Sequence, residues 1–368
     1  MRLSIPRETL LPAIHQVMGA VERRQTLPIL ANLLMEASSQ GLRLTATDLE
    51  MELVTEVSVL VEKEGATTLP ARKLLDICRT LPEGCDITLS VSDGQAVIQA
   101  ERSRFQLATL PAEDFPRIEG LRDPQALVIR QGVMKGIIQH VAFAMAQQDV
   151  RYYLNGMLLE LAPQALRGAA TDGHRLALCE APADLSISEI RQVIVPRKGV
   201  IELQRLLGEG DAEARIEVDA NHLRVDMGTL RLTSKLIDGR FPDYQRVIPG
   251  NSDKRLTISR EALRQAMTRA AILSSEKFKG ARFTMEGELL SIETQNPERE
   301  NSREELLADY QGDPLSIGFN IAYLLDVLNT LQDPEIVIEM RNAESSGVIR
   351  RQDSEGMRCT YVIMPMRL

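Results

Sequence analysis

Cysteine is scarce and scattered: Cys78, Cys85, Cys179 and Cys359 form no CxxC pair. That spacing excludes zinc and iron–sulfur centres and argues against disulfides. No metal and no cofactor are expected. Long apolar runs are missing too. No window approaches the ~18 apolar residues of a membrane helix, and nothing apolar follows Met1-Arg2-Leu3-Ser4-Ile5-Pro6 as in a secretory leader. The expectation is a cytoplasmic protein with no membrane partner. Neither GxxxxGKS nor GxxxxGKT occurs, so ATP has no phosphate loop to bind. Basic residues do not predominate: 43 Lys and Arg against 52 Asp and Glu give a formal charge of −9, which by itself speaks against nucleic acid as a partner. Tryptophan is absent and aromatics make up 4%, while 44% hydrophobic and 26% charged residues are globular proportions that exclude disordered and fibrous classes.

At 368 residues the chain is too long for one ordinary core. Internal repeats divide it in three. Ile5–Leu10 resembles Ile129–Met134 and Ile258–Leu263, at offsets of 124 and 129 residues, and each segment opens a helix. Leu69–Asp76 resembles Val195–Glu202 and, more loosely, Phe319–Asp326, at offsets of 126 and 124, and each opens a second helix. Leu107–Pro111, Ser234–Asp238 and Tyr361–Pro365 recur every 127 residues and close each repeat with a strand. Between the helices, Val54–Val59 and Arg215–Asp219 alternate apolar and polar residues as half-buried strands do. An α+β fold with domains 1–122, 123–250 and 251–368 follows, each with two helices packed on antiparallel sheets.

Charge is distributed by element. In the second helix of the first repeat, Leu74, Leu75, Ile77, Cys78 and Leu81 form an apolar stripe, and Arg72, Lys73, Asp76 and Arg79 lie opposite. The matching helix of the second repeat buries Val200, Ile201, Leu203, Leu206 and Leu207, with Arg197, Lys198, Glu202 and Arg205 outside. The six helical windows hold twelve Lys or Arg against five Asp or Glu, so the remainder of the chain carries −16. Basic helix faces suit DNA phosphates. Twelve such helices in a dimer, at about 10 Å each, enclose a circle roughly 38 Å across, which leaves a hole of roughly 28 Å for a duplex. A ring holds DNA by topology, and so tolerates a negative net charge.

Further segments are similar to the bacterial sliding clamp family, the β subunits of DNA polymerase III, over the whole length. They are Thr26–Leu30, Thr47–Glu52, Gln148–Met157, Ala170–Leu176, Val195–Leu203, Asp238–Tyr244 and Met364–Leu368. The resemblance implies a ring-forming homodimer with helices lining the central hole. It would encircle duplex DNA without reading sequence, be opened by a clamp loader, and tether the replicative polymerase and other proteins that carry a short linear motif. The motif pocket it implies comprises Leu154, Thr171, Gly173, His174, Arg175, Leu176, Pro242, Val247, Asn320, Tyr323, Ser346, Val362, Met364, Pro365, Met366 and Arg367. Glu344 departs from the apolar rim the resemblance implies. The DNA contacts it implies are Arg24, Arg72, Lys73, Gln148, Tyr152, Tyr153, Arg197 and Lys198, to which the helix faces add Arg79 and Arg205. Its dimer contacts are Lys73, Arg102, Arg104, Phe105, Leu107, Ile272, Leu273, Glu298 and Glu300.

The most enzyme-like fragment is Asp172-Gly173-His174-Arg175, since His beside a carboxylate is a common acid–base pair. Thr171-Asp172 nevertheless falls on the repeat position of Thr47-Asp48, which suggests a shared structural turn, and no nucleophile accompanies it. No catalytic residue is therefore assigned. Two rivals stay open at this level: a hydrolase built on Asp172 and His174, and an open DNA binder that does not encircle.

Overall fold

The computed structural model describes residues 1–22, 27–185, 187–275, 279–353 and 356–367. Its α-helices are α1 (Arg7–Val17), α2 (Ala71–Thr80), α3 (Gln131–Val141), α4 (Arg197–Leu206), α5 (Arg260–Ala270) and α6 (Ile321–Thr330). Each starts at once where a strand ends. For α1, α2 and α4 the last strand residue is a proline, Pro6, Pro70 or Pro196. Pro6 and Pro70 combine φ of −60° and −55° with extended ψ, the turn from strand to helix that a pyrrolidine ring favours. α5 and α6 use side-chain caps instead: Ser259 accepts from the Ala262 N–H, and Asn320 from those of Ala322 and Tyr323.

The first residue of each repeat's first helix closes the end of its second helix. Arg7 donates to the carbonyls of Cys78 (2.8 Å) and Arg79 (3.4 Å), and Arg260 to those of Leu328 and Asp333 (both 3.1 Å). Gln131 accepts from the Gly208 N–H at 2.8 Å and donates to the Glu213 carbonyl at 3.1 Å. These groups satisfy helix-end backbone that would otherwise lack a partner. Arg7 and Arg260, two of the twelve basic helix residues, are thus structural.

The chain packs as two compact units, Met1–Gly132 with Ile201–Leu236, and Val133–Val200 with Ile237–Leu368. The first unit contains a five-stranded sheet edged by Val61–Lys63 and Ser103–Ala108, and an eight-stranded sheet. In the latter, Leu230–Lys235 pairs with Met51–Val57, Leu230 opposite Thr55 and Ser234 opposite Met51. The second unit contains a nine-stranded sheet and a four-stranded sheet edged by Asn301–Leu307 and Leu315–Asn320. Its long sheet is joined where Arg175–Pro182 meets Arg358–Ile363. Each large sheet therefore draws strands from two sequence repeats, which satisfies edges that separate domains would leave open.

Two expectations need correction. Cys179 and Cys359 form a disulfide, although they stand 180 residues apart in sequence. The antiparallel register sets them directly opposite, with Cα atoms 4.1 Å apart, a neighbourhood that spacing along the chain does not reveal. Cys78 and Cys85 are buried free thiols, and burial raises the Cys78 pKa to about 12. In α4, Ile201 is 45% exposed. The inward row is Gly199, Val200, Leu203 and Leu207, so Ile201 falls with Lys198 and Arg205 on the outer row, while Glu202 is half-buried against Gly19 and Arg205. α2 matches expectation, with Leu74, Leu75 and Cys78 buried and Arg72, Lys73, Asp76 and Arg79 exposed.

His140 gives the second unit a pH dependence. Its Nδ1 donates to the Gly136 carbonyl at 2.8 Å, which leaves Nε2 to accept from Arg351 at 2.8 Å, and Arg351 is paired with Asp333. Burial foremost, with the Arg351 charge, lowers the His140 pKa below 6.5. The neutral ring is the folded form, so its stabilisation is complete above the unfolded value of about 6.5 and declines as pH falls through that value toward the folded one. Between pH 6.5 and 5.5 the loss is at most about 1.4 kcal/mol for this one proton. The melting temperature of the protein should drop over that interval, and less steeply in His140→Gln; equal slopes would contradict the assignment.

Candidate functional site

The Thr171–Arg175 turn is built from its own side chains. Thr171 Oγ1 donates to the Arg175 carbonyl at 2.5 Å, and Asp172 Oδ1 accepts from the N–H groups of His174 and Arg175 at 2.9 and 3.1 Å. The first repeat does the same: Thr47 donates to the Met51 carbonyl at 2.8 Å, and Asp48 accepts from Glu50 and Met51. Gly173 (φ +88°) and Leu49 (φ +75°) take the same left-handed step. Gly173 takes this step without the strain a side chain meets at positive φ, and a Cβ there would displace only the mobile end of Arg151, 2.8 Å away. The Asp172 carboxylate is committed to this turn and to Arg175, not to the His174 ring. A hydrolytic pair is excluded by that geometry.

Arg175 organises the surroundings. It donates to Asp172 (3.1 Å), to Asp326 of α6 (2.6 Å) and to the Phe143 carbonyl (2.7 Å), and it lies 4.4 Å from the Tyr323 ring centroid and 5.2 Å from that of Phe143. Its side chain is 10% exposed. The His174 ring lies nearly parallel to Tyr323, at 6.5 Å between centroids. Phe143 and Asp326 escaped the sequence reading because no local motif marks a residue that serves a distant arginine.

Around this centre lies an apolar cluster with partly exposed residues at its margin. Leu158, Ala169, Leu176, Tyr244, Val348 and Val362 form one buried cluster, with Leu178, Phe241, Val247 and Ile248 packed on it. Leu154 is buried beside the turn at Tyr152–Leu154, and Pro242 is half-buried. Met364 is held by its N–H to the His174 carbonyl (3.0 Å), and Met366 by its N–H to Gly318 (2.8 Å). Met364, Pro365 and Met366 remain half-exposed, Asn320 and Tyr323 begin α6, and Ser346 is half-buried. Arg367 and Glu344 are exposed and line one cavity with Met366. All these residues belong to the second unit.

The basic residues divide by unit. In the first, Arg72 and Lys73 are exposed, and neither has an ionic partner among the described residues. Arg79 meets the His15 ring at 3.2 Å, and Arg205 donates to the carbonyls of His15 and Gln16 at the end of α1 and to Glu202. Arg205 is therefore a helix-end cap across elements as well as a surface cation. In the second unit, Arg197 reaches the Met145 carbonyl, and its N–H donates to Asn155. Asn155 in turn holds Asp149 through both its amide atoms, which pins the loop bearing Gln148 and Val150 to the start of α4. The Arg151 guanidinium and N–H lower the Asp149 pKa to about 2. Tyr152 is exposed and packs edge-on to Tyr153 at 5.9 Å; Gln148 and Lys198 are also exposed. Arg24 lies outside the described residues.

Two of the sheet-edge strands carry or adjoin the residues expected at the dimer contact. Ser103–Ala108 ends the five-stranded sheet, with Arg104 exposed and Phe105 and Leu107 half-exposed, and Arg102 in the preceding turn is exposed. Asn301–Leu307 ends the four-stranded sheet, preceded by the exposed Glu298 and Glu300. Leu307 is 83% and Ile272 77% exposed, so both side chains are accessible to a partner. Leu273 is half-buried. Leu307 was missed in the sequence because its strand alternates like any half-buried strand. No helix among the described residues is long and apolar enough to cross a membrane, and no cluster of three or more His, Cys, Asp or Glu there could hold a metal.

Tandem repeats of paired helices on antiparallel sheets, with basic residues on the helix faces, define a DNA-clamp fold. Family models for the N-terminal, central and C-terminal domains of the DNA polymerase III beta subunit match residues 1–119, 128–243 and 245–367. The chain is 47% identical to the beta sliding clamp of Escherichia coli K12 over 369 residues, covering 100% of both. It is similar, at TM-score 0.96 and 46% identity over 100% of both chains, to the crystal structure of the DNA polymerase III subunit beta from Pseudomonas aeruginosa. A sliding clamp from the same organism bound to griselimycin matches at TM-score 0.95 and 46% identity, again over 100% of both chains. The chain belongs to the DNA polymerase III β subunit family, the bacterial sliding clamps.

Proposed function

We propose that this protein is a DNA sliding clamp, a processivity factor without catalytic chemistry of its own. Two copies encircle duplex DNA and tether the replicative polymerase and other partners. The observation that carries this reading is the match over 100% of the chain, with three clamp-domain models in tandem. We further propose domain limits at 1–122, 123–250 and 251–368, and a cytoplasmic location. Arg72, Lys73, Arg79, Gln148, Tyr152, Tyr153, Arg197, Lys198 and Arg205 would face the phosphates, and the family resemblance adds Arg24. Such contacts position DNA without reading bases.

Subunits would join edge to edge, Ser103–Ala108 of one protomer against Asn301–Leu307 of its partner. Lys73, Arg102 and Arg104 would then oppose Glu298 and Glu300 around Phe105, Leu107, Ile272 and Leu273, a head-to-tail contact that closes after two copies. Partner motifs would enter the surface running from Leu154 and Leu176 to Val247, Val362 and Met364, where aliphatic and thioether groups adapt to a peptide anchor. Arg175 supports that surface from beneath. Shortening Leu176 and Met364 to Ala should cost about 2–4 kcal/mol of peptide affinity. In primer extension on circular templates with loader and polymerase, the double variant should still be loaded but give short products. Products of full length would contradict the tethering role of this surface.

A further inference from the structure

The sheet beneath the proposed peptide pocket continues past it. Arg175–Pro182 and Arg358–Ile363 pair so that Leu176 stands opposite Val362, Leu178 opposite Thr360, and Glu180 opposite Arg358. Side chains two residues apart share a face, and successive rungs are about 7 Å apart. The three rungs therefore form a graded floor: apolar, then mixed, then ionic. Only the first belongs to the pocket described above.

A cavity of about 390 Å³ opens over the second rung. Leu178 and Thr360 are its floor, and Tyr244 and Ile248 line it from the side. Tyr244 and Ile248 also pack on the cluster that contains Leu176 and Val362, so the cavity and the pocket share a wall. At the far end, Arg167 is spent between Glu160 and Glu180. Among the described residues the Arg358 side chain is bonded to Glu180 alone, and it is 64% exposed. Its remaining N–H donors are directed at no acceptor among the described residues, which favours an anion beside it.

We propose that this cavity is a second anchor site for partner segments, taking one aliphatic side chain over Leu178 and Ile248 and an adjacent acidic residue on Arg358. The proposal rests on the reading of the Leu176 and Val362 surface as a peptide pocket. Segments that extend beyond the motif core gain affinity here, which lets the protein rank partners that carry the same core. Continuity of the floor argues for the same chain occupying both places. A basic residue at this position meets Arg358 and is disfavoured.

The probes are a short apolar peptide selected from a random library on the full-length dimer, and versions lengthened by Leu-Glu, Leu-Lys or Ser-Ser at either end. By calorimetry, one of the two Leu-Glu versions should bind about tenfold tighter than its Ser-Ser counterpart, the order expected for partly burying one aliphatic side chain. Thr360→Trp fills the cavity and should abolish that gain while leaving the short peptide unchanged, which also reports an intact fold. Arg358→Glu, on the surface, should transfer the preference from Leu-Glu to Leu-Lys. The proposal is overturned if neither Leu-Glu version exceeds Ser-Ser, or if the gain survives both substitutions. If instead the short peptide is insensitive to Leu176→Ala with Met364→Ala, the pocket reading fails, and this proposal with it.

Discussion

Ile272→Asp together with Leu307→Asp should leave the protein monomeric at micromolar concentration. Both side chains are more than three-quarters exposed in the single chain, so neither supports its own core. Their exposure makes sense if a second protomer covers them. Two carboxylates placed in that apolar centre must be desolvated on association, at a cost of roughly 4 kcal/mol or more, which is about a thousandfold in the dimer dissociation constant. Sedimentation equilibrium across a dilution series reads this directly, and the melting temperature of the variant should stay close to that of the parent at protein concentrations where the parent too is monomeric. A dimer as tight as the parent's would move the interface elsewhere. Loss of the dimer should also remove retention on DNA, since half a ring encloses nothing.

The second large effect is expected from charge. Replacing Arg72 and Lys198 with Glu turns two cations into two anions on the exposed faces of α2 and α4, away from the proposed subunit contact. Electrostatic steering changes association by about ten- to a thousandfold, so loading onto a primed circle should slow by roughly a hundredfold at low salt while the dimer persists. Unchanged loading would contradict the DNA-facing assignment. Arg205→Glu is a different experiment. Arg205 caps α1 and pairs with Glu202, so its loss should lower the melting temperature before it alters loading.

The repeats and both helix starts of every domain could be recognised in the sequence because each rests on local chemistry. Pro6, Pro70 and Pro196 end strands and begin helices, and the apolar stripe of α2 falls where its spacing places it. What stayed hidden depends on register between distant strands. Cys179 and Cys359 meet only because two repeats share one sheet, and so do the three rungs between Leu176 and Arg358. Ile201 was misplaced because the inward row of α4 starts at Gly199, a small residue that gives no apolar signal. The pocket was accessible through resemblance, whereas its support, Arg175 held by Asp326 and stacked on Phe143 and Tyr323, required coordinates. Asp172 and His174 formed the most reactive-looking pair in the sequence. The hydrogen bonds show the carboxylate serving the turn, as Asp48 does in the first repeat.

Topology, not adhesion, keeps a clamp of this kind on DNA. Labelled protein is loaded onto a nicked circle by the clamp loader, separated from free protein by gel filtration at elevated salt, and the circle is then cut once. The protein should remain bound to the circle through a salt increase that weakens an open phosphate-contacting binder by about a thousandfold, and it should leave within minutes of linearisation by sliding off the ends. Equal release from circle and line, or release from the intact circle on raising salt, would contradict encirclement.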